Sequence, residues 1–497
     1  MLAAAAPAGA ARPPLVTADT NTAVRGAPLA RSFLGFSQEY NLAASWLGTP
    51  KTGLNPLLVK IYRQFSGYGS GPPVLRLGGG STDNSWWNPS LKPRPRGIYF
   101  GIDYTLTGPL AQFLEQTRSR VILGLNLAAR KPAIAVDWAR AAIATLPLNS
   151  IRALEVGNEP DIYTTRPLQP DKKNPGMTRK RGYGPAAYLR EVDPFLRALG
   201  RIRGHPPIAG PALCCMDKWV RAMPSIIDKT AHRLGLVTIH RYPLHSCGLK
   251  RGQRGYPTAR ALLSPAALSA VREFKWEADL ARRHHLGLRV TESNSAACGG
   301  AEGVSDTFAS ALWAAQWAFA VNSVGVVGLD FHGASSAYTP FSFGLRDGVF
   351  SGYFRPELYG LLLFGEATSH HGIHLPTAVY GERRRRPNLN IWTWAFLDRV
   401  DRVVRVAVLN LDPRARGAAV IKVKNGRGSG TLKRLLAPAL GALSGITWGG
   451  QSYSSVTTSG ELAGPLNIGH VRRLRGGRYR FDMPPASAAL LTVPVAR

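Results

Sequence analysis

Two carboxylates in this sequence directly end apolar runs, in positions suited to acid–base chemistry. Glu159 closes "IRALEVGNEP" (151–160), and Glu292 lies near the end of "LRVTESNS" (288–295). Two acids that face one pocket can cleave a glycosidic bond: one protonates the leaving oxygen, and the other attacks the anomeric carbon or activates water. Residue types alone leave salt bridges or a metal site open as alternatives.

A third acid, Glu155, lies four residues before Glu159 in the same run. Side chains an even number of residues apart point the same way along a strand, but Glu155 is placed deeper in it. A charge at that depth needs a partner, for example Arg76 in "VLRLGGG" (74–80). We therefore predict that Glu155 is a buried structural group and that Glu159 is the working acid.

The elements that must position these acids can be recognised from eight short apolar runs, each ended by Gly, Asn, Pro or a polar cluster. The runs are 33–40, 74–80, 121–128, 151–160, 207–213, 236–243, 288–295 and 324–333. Helical patterns lie between several of them, at 184–200, 264–287 and 305–323, and the last begins with Ser305 and Asp306. Apolar strands alternating with helices favour parallel strands buried on both faces. We predict a (β/α)8 TIM barrel over residues 30–370, with a doubly wound sheet as the alternative.

The pattern changes after about residue 370, where strong helical periodicity is absent. Strand-like runs separated by Gly, Asn and Pro occupy the remainder of the chain, including "LNIWTWAF" (389–396) and "AALLTVPV" (488–495). This pattern is typical of an antiparallel β-sandwich. We predict such a domain over 371–497, joined by a strand from residues 1–29 around "PPLVTADT" (13–20).

A TIM barrel collects the polar residues at the carboxyl ends of its strands around one pocket. The residues that would form this rim are Glu39, Ser81, Asp83, Asn126, Asn158, Glu159, His240, Tyr242, Glu292, Asn294, Asp330 and His332. The predicted architecture therefore brings the two candidate acids together, although they are far apart in the chain.

Charge and composition limit the possible partners. The chain carries 62 Lys and Arg against 30 Asp and Glu, a net charge of +32 that would attract any polyanion. No nucleic-acid motif and no apolar run of about 18 residues occurs, so we expect neither nucleic acid nor a membrane as a partner. The positive charges then either lie on a solvated surface without a partner or attract acidic glycans. No CxxC spacing supports a zinc site, and we expect a monomer without a metal.

The N-terminal residues "MLAAAAPAGAARPP" contain small residues suited to a signal-peptide cleavage site. They lack a charged segment followed by a clear apolar segment. We expect an exported protein, extracellular or periplasmic, although a signal peptide is not clearly present.

Four stretches resemble the retaining glycoside hydrolases of family 79, the heparanase and β-glucuronidase family. They are "RLGGGSTD", "LEVGNEPDIY", "RVTESNSAACGGAEGVSDTFASALW" and "PPASAALLTV", and the resemblance covers most of the chain. It implies a barrel followed by a sandwich, no cofactor, and a carbohydrate substrate. It also implies that Glu159 is the acid/base and Glu292 the nucleophile.

The same resemblance implies roles for the residues around the acids. Asn158 would bind the sugar 2-hydroxyl, and Tyr242 would orient the nucleophile. Glu39, Ser81 and Asp83 would hold hydroxyls of the non-reducing sugar. His332 and Tyr338 would line the pocket wall, and Asn294 would lie on the same rim. Asp83 capping a loop, and Tyr242 and His332 as ordinary packed residues, are the alternatives.

One departure from the family concerns the uronate carboxylate. Relatives of the heparanase type place a Tyr and glycines after the nucleophile, whereas this chain has Ala297 and Cys298 followed by Gly299 and Gly300. Backbone amides of the two glycines could still bind an anion. We also expect Cys298 and Cys247, on neighbouring rim loops, to form a disulfide in an exported protein.

The resulting prediction is a retaining β-glycoside hydrolase, most simply an exo-β-glucuronidase. Its glycon would be glucuronic or 4-O-methylglucuronic acid, from plant or microbial glycans or glycosaminoglycan-like substrates. The alternatives are a β-glycosidase for a neutral sugar such as glucose, and a catalytically silent protein that binds acidic glycans.

Overall fold

Eight parallel strands close into a barrel in the computed structural model, which describes residues 14–20, 26–95, 97–168, 176–333, 336–380, 389–454 and 456–496. The strands are β1 (Leu34–Glu39), β2 (Val74–Gly78), β3 (Val121–Leu125), β4 (Ile151–Val156), β5 (Ile208–Leu213), β6 (Leu236–Arg241), β7 (Leu288–Ser293) and β8 (Gly328–His332). Each strand pairs with the next along the chain, and β8 pairs with β1. The predicted TIM barrel is confirmed, and the doubly wound alternative is excluded because the sheet has no edge.

A helix follows each barrel strand. The helices are α1 (Pro56–Ser66), α2 (Tyr104–Thr117), α3 (Pro132–Thr145), α4 (Pro185–Gly200), α5 (Asp217–Thr230), α6 (Ala270–Arg283), α7 (Phe308–Ser323) and α8 (Pro356–Ala367). No helix in the described part of the chain is long and apolar enough to cross a membrane.

Two of the helical predictions differ from the structure. The segment 305–323 becomes helical only at Phe308, because Ser305 and Asp306 instead close the preceding loop. The Ser305 hydroxyl accepts the Ala301 N–H at 2.9 Å, and Asp306 accepts the Gly303 N–H at 2.7 Å. The segment 264–287 splits into one turn of 3-10 helix, Pro265–Leu268, and α6.

Two sheets with a shared apolar core form the C-terminal part of the chain. Their strands include β9 (Ile373–Leu375), β10 (Thr377–Tyr380), β11 (Ile391–Asp398), β12 (Val403–Asn410), β13 (Gly417–Val423), β14 (Gly430–Leu436), β15 (Arg478–Met483) and β16 (Ser487–Pro494). The N-terminal strand Val16–Thr20 pairs with strands of this domain. It lies antiparallel to β10 but parallel to β13, so the sandwich is not antiparallel throughout.

The sandwich packs on the last two barrel helices. Helix α7 is buried on all sides, and its Phe319 stacks on Trp394 of β11 with ring centroids 5.9 Å apart. Gln316 accepts a hydrogen bond from the Trp394 indole at 2.9 Å. Because α8 ends at Ala367 and β9 begins at Ile373, we propose a domain boundary at about residue 370. The predicted cleavage-site region lies outside the described residues.

Candidate active site

The two candidate acids meet at the carboxyl end of the barrel. Glu159 follows β4, Glu292 lies in β7, and His240 lies in β6 between them. One carboxylate oxygen of each acid and one ring nitrogen of His240 all lie within 4.8 Å of one another. The barrel therefore brings two acids separated by more than a hundred residues to one point at the usual location of TIM-barrel active sites.

Glu292 is held as a carboxylate by its neighbours. Its Oε2 accepts a hydrogen bond from Arg76 at 2.6 Å, and its Oε1 accepts one from the Tyr242 hydroxyl at 2.9 Å. Burial opposes ionisation, but the charges of His332 and Arg76 outweigh it and hold the Glu292 pKa well below its usual range. Such a group is ionised and oriented, as a nucleophile must be.

Arg76 connects Glu292 to the acid below it. The Arg76 side chain is fully buried and donates to Glu155 at 2.9 Å as well as to Glu292. Glu155 is also fully buried and accepts a second hydrogen bond from the Thr291 hydroxyl at 2.7 Å. With both oxygens occupied below the pocket floor, Glu155 has the structural position expected from its place in the strand.

Glu159 adopts a left-handed backbone conformation, with φ of 53°, which is uncommon for a residue other than glycine. Its N–H donates to the Ala212 carbonyl at 2.9 Å, and its Oε1 lies 3.1 Å from Nδ1 of His240. The other His240 nitrogen, Nε2, lies 3.2 Å from an Arg76 nitrogen. Since arginine only donates, Nε2 must accept, which leaves the His240 proton on Nδ1 to be donated to Glu159.

A second polar group faces Glu292 across the pocket. Glu39 accepts the backbone N–H groups of Gly80 at 2.9 Å and Ser81 at 2.7 Å, and also the Ser81 hydroxyl. Nε2 of His332 lies 3.7 Å from Glu39. Burial lowers the His332 pKa, but Glu292 and Glu39 outweigh it and raise this pKa above its ordinary value. The Glu39 side chain keeps 20% of its surface exposed, so it remains accessible to a ligand.

Three groups predicted to contact the substrate form hydrogen bonds within the protein. Asp83 is buried, and its carboxylate accepts hydrogen bonds from the Tyr163 hydroxyl at 2.7 Å and from the N–H groups of Leu127 and Ala128. It therefore holds loops together, which was the alternative interpretation of this residue. Asn294 is also buried and ties β7 to the next loop. Its amide donates to the carbonyls of His332 at 2.9 Å and Tyr338 at 2.8 Å.

The third group is the Gly300 amide, in the glycine loop that follows Glu292. The N–H of Gly300 donates to the Ala296 carbonyl at 3.1 Å and is therefore not available to bind an anion. Both Gly299 and Gly300 have positive φ, and a Cβ on Gly300 would lie 3.0 Å from the Tyr338 nitrogen. The loop is braced by a disulfide between Cys298 and Cys247, the pair expected from their rim positions.

The remaining predicted residues surround the acids. The Asn158 side-chain oxygen accepts from Arg76 at 3.0 Å, which fixes the orientation of its amide. The rings of Tyr242 and Tyr338 lie 5.9 Å apart and form one wall with His332.

Arg76 was predicted only as the partner of Glu155, a pairing that the structure contains, and Arg166 was not predicted. Arg166 donates to the Asn158 carbonyl at 3.1 Å and pairs with Asp83 at 3.5 Å. The available signal for Arg76 was a charge inside an otherwise apolar strand, because a buried arginine requires paired acids.

Glu159, His240 and Glu292 are close enough to hold a metal ion in purely geometric terms. Arg76 already neutralises Glu292 and occupies one of its oxygens. This arrangement suits a free nucleophile better than a metal ligand.

Comparisons with known proteins agree with this arrangement. Residues 393–490 match the glycosyl hydrolase family 79 C-terminal beta domain. A β-glucuronidase from Aspergillus niger is 22% identical, over 94% of this chain and 91% of that protein. A solved 4-O-α-L-rhamnosyl-β-D-glucuronidase from Fusarium oxysporum 12S covers 96% of this chain and 100% of its own, with TM-score 0.76 and 16% identity. A family 51 arabinofuranosidase from Xanthomonas axonopodis pv. citri has the same fold, with TM-score 0.68 and 14% identity.

The barrel, the facing carboxylates and these relatives define the class of the protein, which is a glycoside hydrolase acting on carbohydrate. Within that class, the chain is similar to glycoside hydrolase family 79, whose C-terminal beta domain matches residues 393–490.

Proposed function

We propose that the protein is a retaining β-glucuronidase in which Glu292 is the nucleophile and Glu159 the acid/base. The observation that carries the proposal is that one carboxylate oxygen of Glu159 lies within 4.8 Å of one carboxylate oxygen of Glu292. Retaining enzymes keep their two carboxyl groups about 5–5.5 Å apart, whereas inverting enzymes need about 6.5–9.5 Å for an intervening water. The short separation favours direct attack on the anomeric carbon.

The reaction proceeds in two displacements. Glu292 attacks the anomeric carbon while Glu159 protonates the departing glycosidic oxygen, which gives a glycosyl-enzyme ester. Glu159 then removes a proton from water as that water attacks the same carbon and releases Glu292. The Nδ1–H of His240 donates to the Glu159 carboxylate and orients it for both proton transfers.

A glucuronic or 4-O-methylglucuronic glycon is supported by two relatives, one named a β-glucuronidase and the other a rhamnosyl-β-glucuronidase. Burial lowers the pKa of His332, but Glu292 and Glu39 outweigh it and raise this pKa, which favours a positively charged imidazole beside a uronate. The Glu39 side chain is suited to accept hydroxyl protons of the non-reducing sugar, which corresponds to exo cleavage. Export is supported by the Cys247–Cys298 disulfide, since such bonds persist mainly in oxidising compartments.

A panel of 4-nitrophenyl glycosides tests the glycon. We expect kcat/KM for the β-glucuronide to exceed that for the β-glucoside, β-galactoside, β-xyloside and α-L-arabinofuranoside by about 100-fold or more, because the site must pair the carboxylate with buried polar groups. The Glu292→Gln variant is the control for contaminating activity. A faster β-glucoside would contradict the glucuronate assignment, and no hydrolysis of any glycoside would favour the silent glycan-binding protein.

A neutral-sugar β-glycosidase is the second candidate. Ala297 supplies no hydroxyl where relatives have Tyr, and the Gly300 amide is already bonded to Ala296. Both features weaken binding of a carboxylate at this loop, and the same panel distinguishes the two functions.

If Glu159 is the proton donor, the loss of activity on its replacement should depend on the leaving group of the substrate. For Glu159→Gln, kcat/KM on a methyl β-glucuronide should fall about 10²–10⁴-fold, because proton donation contributes that much to departure of a poor leaving group. A dinitrophenyl β-glucuronide departs without a proton, so its kcat/KM should fall far less. Glu115→Gln, an exposed carboxylate on α2, is the matched control. Equal losses on the two substrates would exclude Glu159 as the proton donor.

The ionised state of Glu292 predicts an unusual acid limb. Because its pKa is held below the ordinary 4.5, the nucleophile stays charged as the pH falls through that value. For a dinitrophenyl substrate, kcat/KM should therefore fall through protonation of Glu292 only below pH 4.5.

The Tyr242→Phe variant tests whether the hydrogen bond to Glu292 contributes to the acid limb of the pH profile. Removing the hydrogen bond from Tyr242 to Glu292 should move the acid limb to higher pH, whereas Tyr104→Phe, at an exposed position, should not move it. An acid limb at or above pH 4.5 in the unaltered enzyme, unmoved by Tyr242→Phe, would contradict this description of Glu292.

A further inference from the structure

Two adjacent cysteines lie beside the catalytic pair and have no part in the proposed reaction. Cys214 and Cys215 follow β5 directly, with their sulfur atoms 2.9 Å apart. Cys214 is buried, whereas Cys215 is exposed in a cleft of about 470 Å³ that is also lined by Arg221, Arg241 and Tyr242. One thiol is therefore accessible to a reagent, and the second lies in contact with the first.

A nearby acid holds this turn in place. The Asp161 carboxylate accepts the N–H groups of Cys214 at 3.1 Å, Cys215 at 2.9 Å and Met216 at 3.1 Å. The three groups Asp161, Cys214 and Cys215 also lie close enough to bind a metal ion. Because the carboxylate already accepts these three backbone donors and the Cys214 thiol at 3.4 Å, we favour disulfide chemistry of the two sulfurs over metal binding.

The turn is connected to both catalytic acids. Asp161 lies two residues after Glu159, and the Glu159 N–H donates to Ala212, two residues before Cys214. The Cys214 carbonyl accepts a hydrogen bond from Arg241, the last residue of β6. In the chain, Arg241 lies between His240 and Tyr242. Those two neighbours are the hydrogen-bond partners of Glu159 and Glu292. A change in the turn therefore reaches both acids through one or two contacts.

We propose that Cys214 and Cys215 are a reversible redox site, at which reaction with a low-molecular-weight disulfide converts the two thiols into a vicinal disulfide that alters the activity of the neighbouring catalytic pair. The effect on activity rests on the proposed function, but the disulfide itself does not. Cys247 and Cys298 already form a disulfide on the same rim, so an environment that oxidises thiols is consistent with the structure.

The reaction is an ordinary thiol–disulfide exchange. The Cys215 thiolate attacks one sulfur of the small disulfide RSSR and expels RS⁻, which takes up the proton lost by Cys215. The Cys214 thiol then loses its proton and attacks the Cys215 sulfur, which expels the second RSH. The two cysteines lose two electrons and two protons, and RSSR gains them as two RSH. Contact with Cys214 lowers the pKa of the Cys215 thiol against the opposing effect of burial, which suits Cys215 to the first attack.

Adjacent positions make such a bond easy to reverse. Neighbouring α-carbons are about 3.8 Å apart across a trans peptide, shorter than the roughly 4.4–6.8 Å that disulfides usually span. Strained disulfides are reduced more readily than relaxed structural ones. The Cys214–Cys215 bond should therefore open under reducing conditions that leave Cys247–Cys298 intact.

Peptide mass spectrometry tests the site independently of activity. The protein is first reduced mildly, then equilibrated with glutathione disulfide, denatured, alkylated and digested without reductant. We expect the peptide with Cys214 and Cys215 to carry no alkyl group and to be lighter by two hydrogen atoms, and to become doubly alkylated after mild reduction. Two alkylated thiols after oxidation, or only a glutathione adduct, would overturn the proposal.

Activity supplies the second measurement. Oxidation should change kcat/KM of the unaltered enzyme by about 10-fold, which is less than the ~100-fold that a 1 Å misplacement can cause. Cys215→Ser and Cys215→Ala should remove this response and leave Cys247–Cys298 in place. A disulfide at 214–215 without any change in kcat/KM, or a change that persists in both variants, would overturn the regulatory part. Absence of hydrolysis in both redox states would instead count against the proposed function.

Discussion

Replacement of Glu292 by Gln is expected to lower kcat on a β-glucuronide by on the order of 10⁴- to 10⁶-fold, the range seen when a catalytic nucleophile is removed. The amide has the same shape but cannot form the glycosyl ester. Because it is neutral, it also loses its attraction for Arg76 and His332. The measurement is single-turnover and steady-state hydrolysis of the 4-nitrophenyl substrate.

The matched control for this change is Glu302→Gln. Glu302 is an exposed carboxylate ten residues after Glu292, in the connection between β7 and α7. The control variant should retain the activity of the unaltered enzyme. A Glu292→Gln enzyme that keeps even a tenth of the original kcat would exclude Glu292 as the nucleophile.

Replacement of Arg76 by Met is expected to have the largest effect on stability. Arg76 is fully buried and is the ion-pair partner of both Glu155 and Glu292. Removing one partner of a buried ion pair leaves an uncompensated charge and costs about 3–5 kcal/mol in free energy of unfolding. Urea unfolding followed by tryptophan fluorescence measures this loss.

Two further variants separate charge from packing. Arg76→Met combined with Glu155→Gln should recover part of the lost stability, because one uncompensated carboxylate becomes neutral. Arg63→Met, on the exposed face of α1, should change the unfolding free energy by less than about 0.5 kcal/mol. No recovery in the double variant would show that Arg76 acts through packing instead of charge.

The barrel was predictable because its signal is repeated and local. Each strand is a short apolar run with a polar terminus, and eight such runs allow few other arrangements. The parallel pairing of the N-terminal strand with β13 was not predictable, because a strand pattern contains no information about the direction of its neighbour.

The candidate site was predictable in its acids and less so in its surroundings. Asp83 and Asn294 end barrel strands much as Glu39 and Glu159 do, so a sequence cannot distinguish them. The difference lies in partners from other loops, which satisfy Asp83 and Asn294 completely and leave Glu39 partly exposed. The Gly300 amide is occupied for the same reason, by a backbone carbonyl that only the folded loop presents.

The most direct test of the central proposal is to trap the intermediate. A 2-deoxy-2-fluoro-β-D-glucuronyl fluoride should react once with the enzyme, because the ring fluorine slows hydrolysis of the ester more than the fluoride leaving group slows its formation. We expect the intact mass to rise by one fluoroglucuronyl group and peptide sequencing to locate that group on Glu292. A label on another carboxylate such as Glu159 or Glu39, or turnover of β-glucuronides by an enzyme that accumulates no label, would contradict the account.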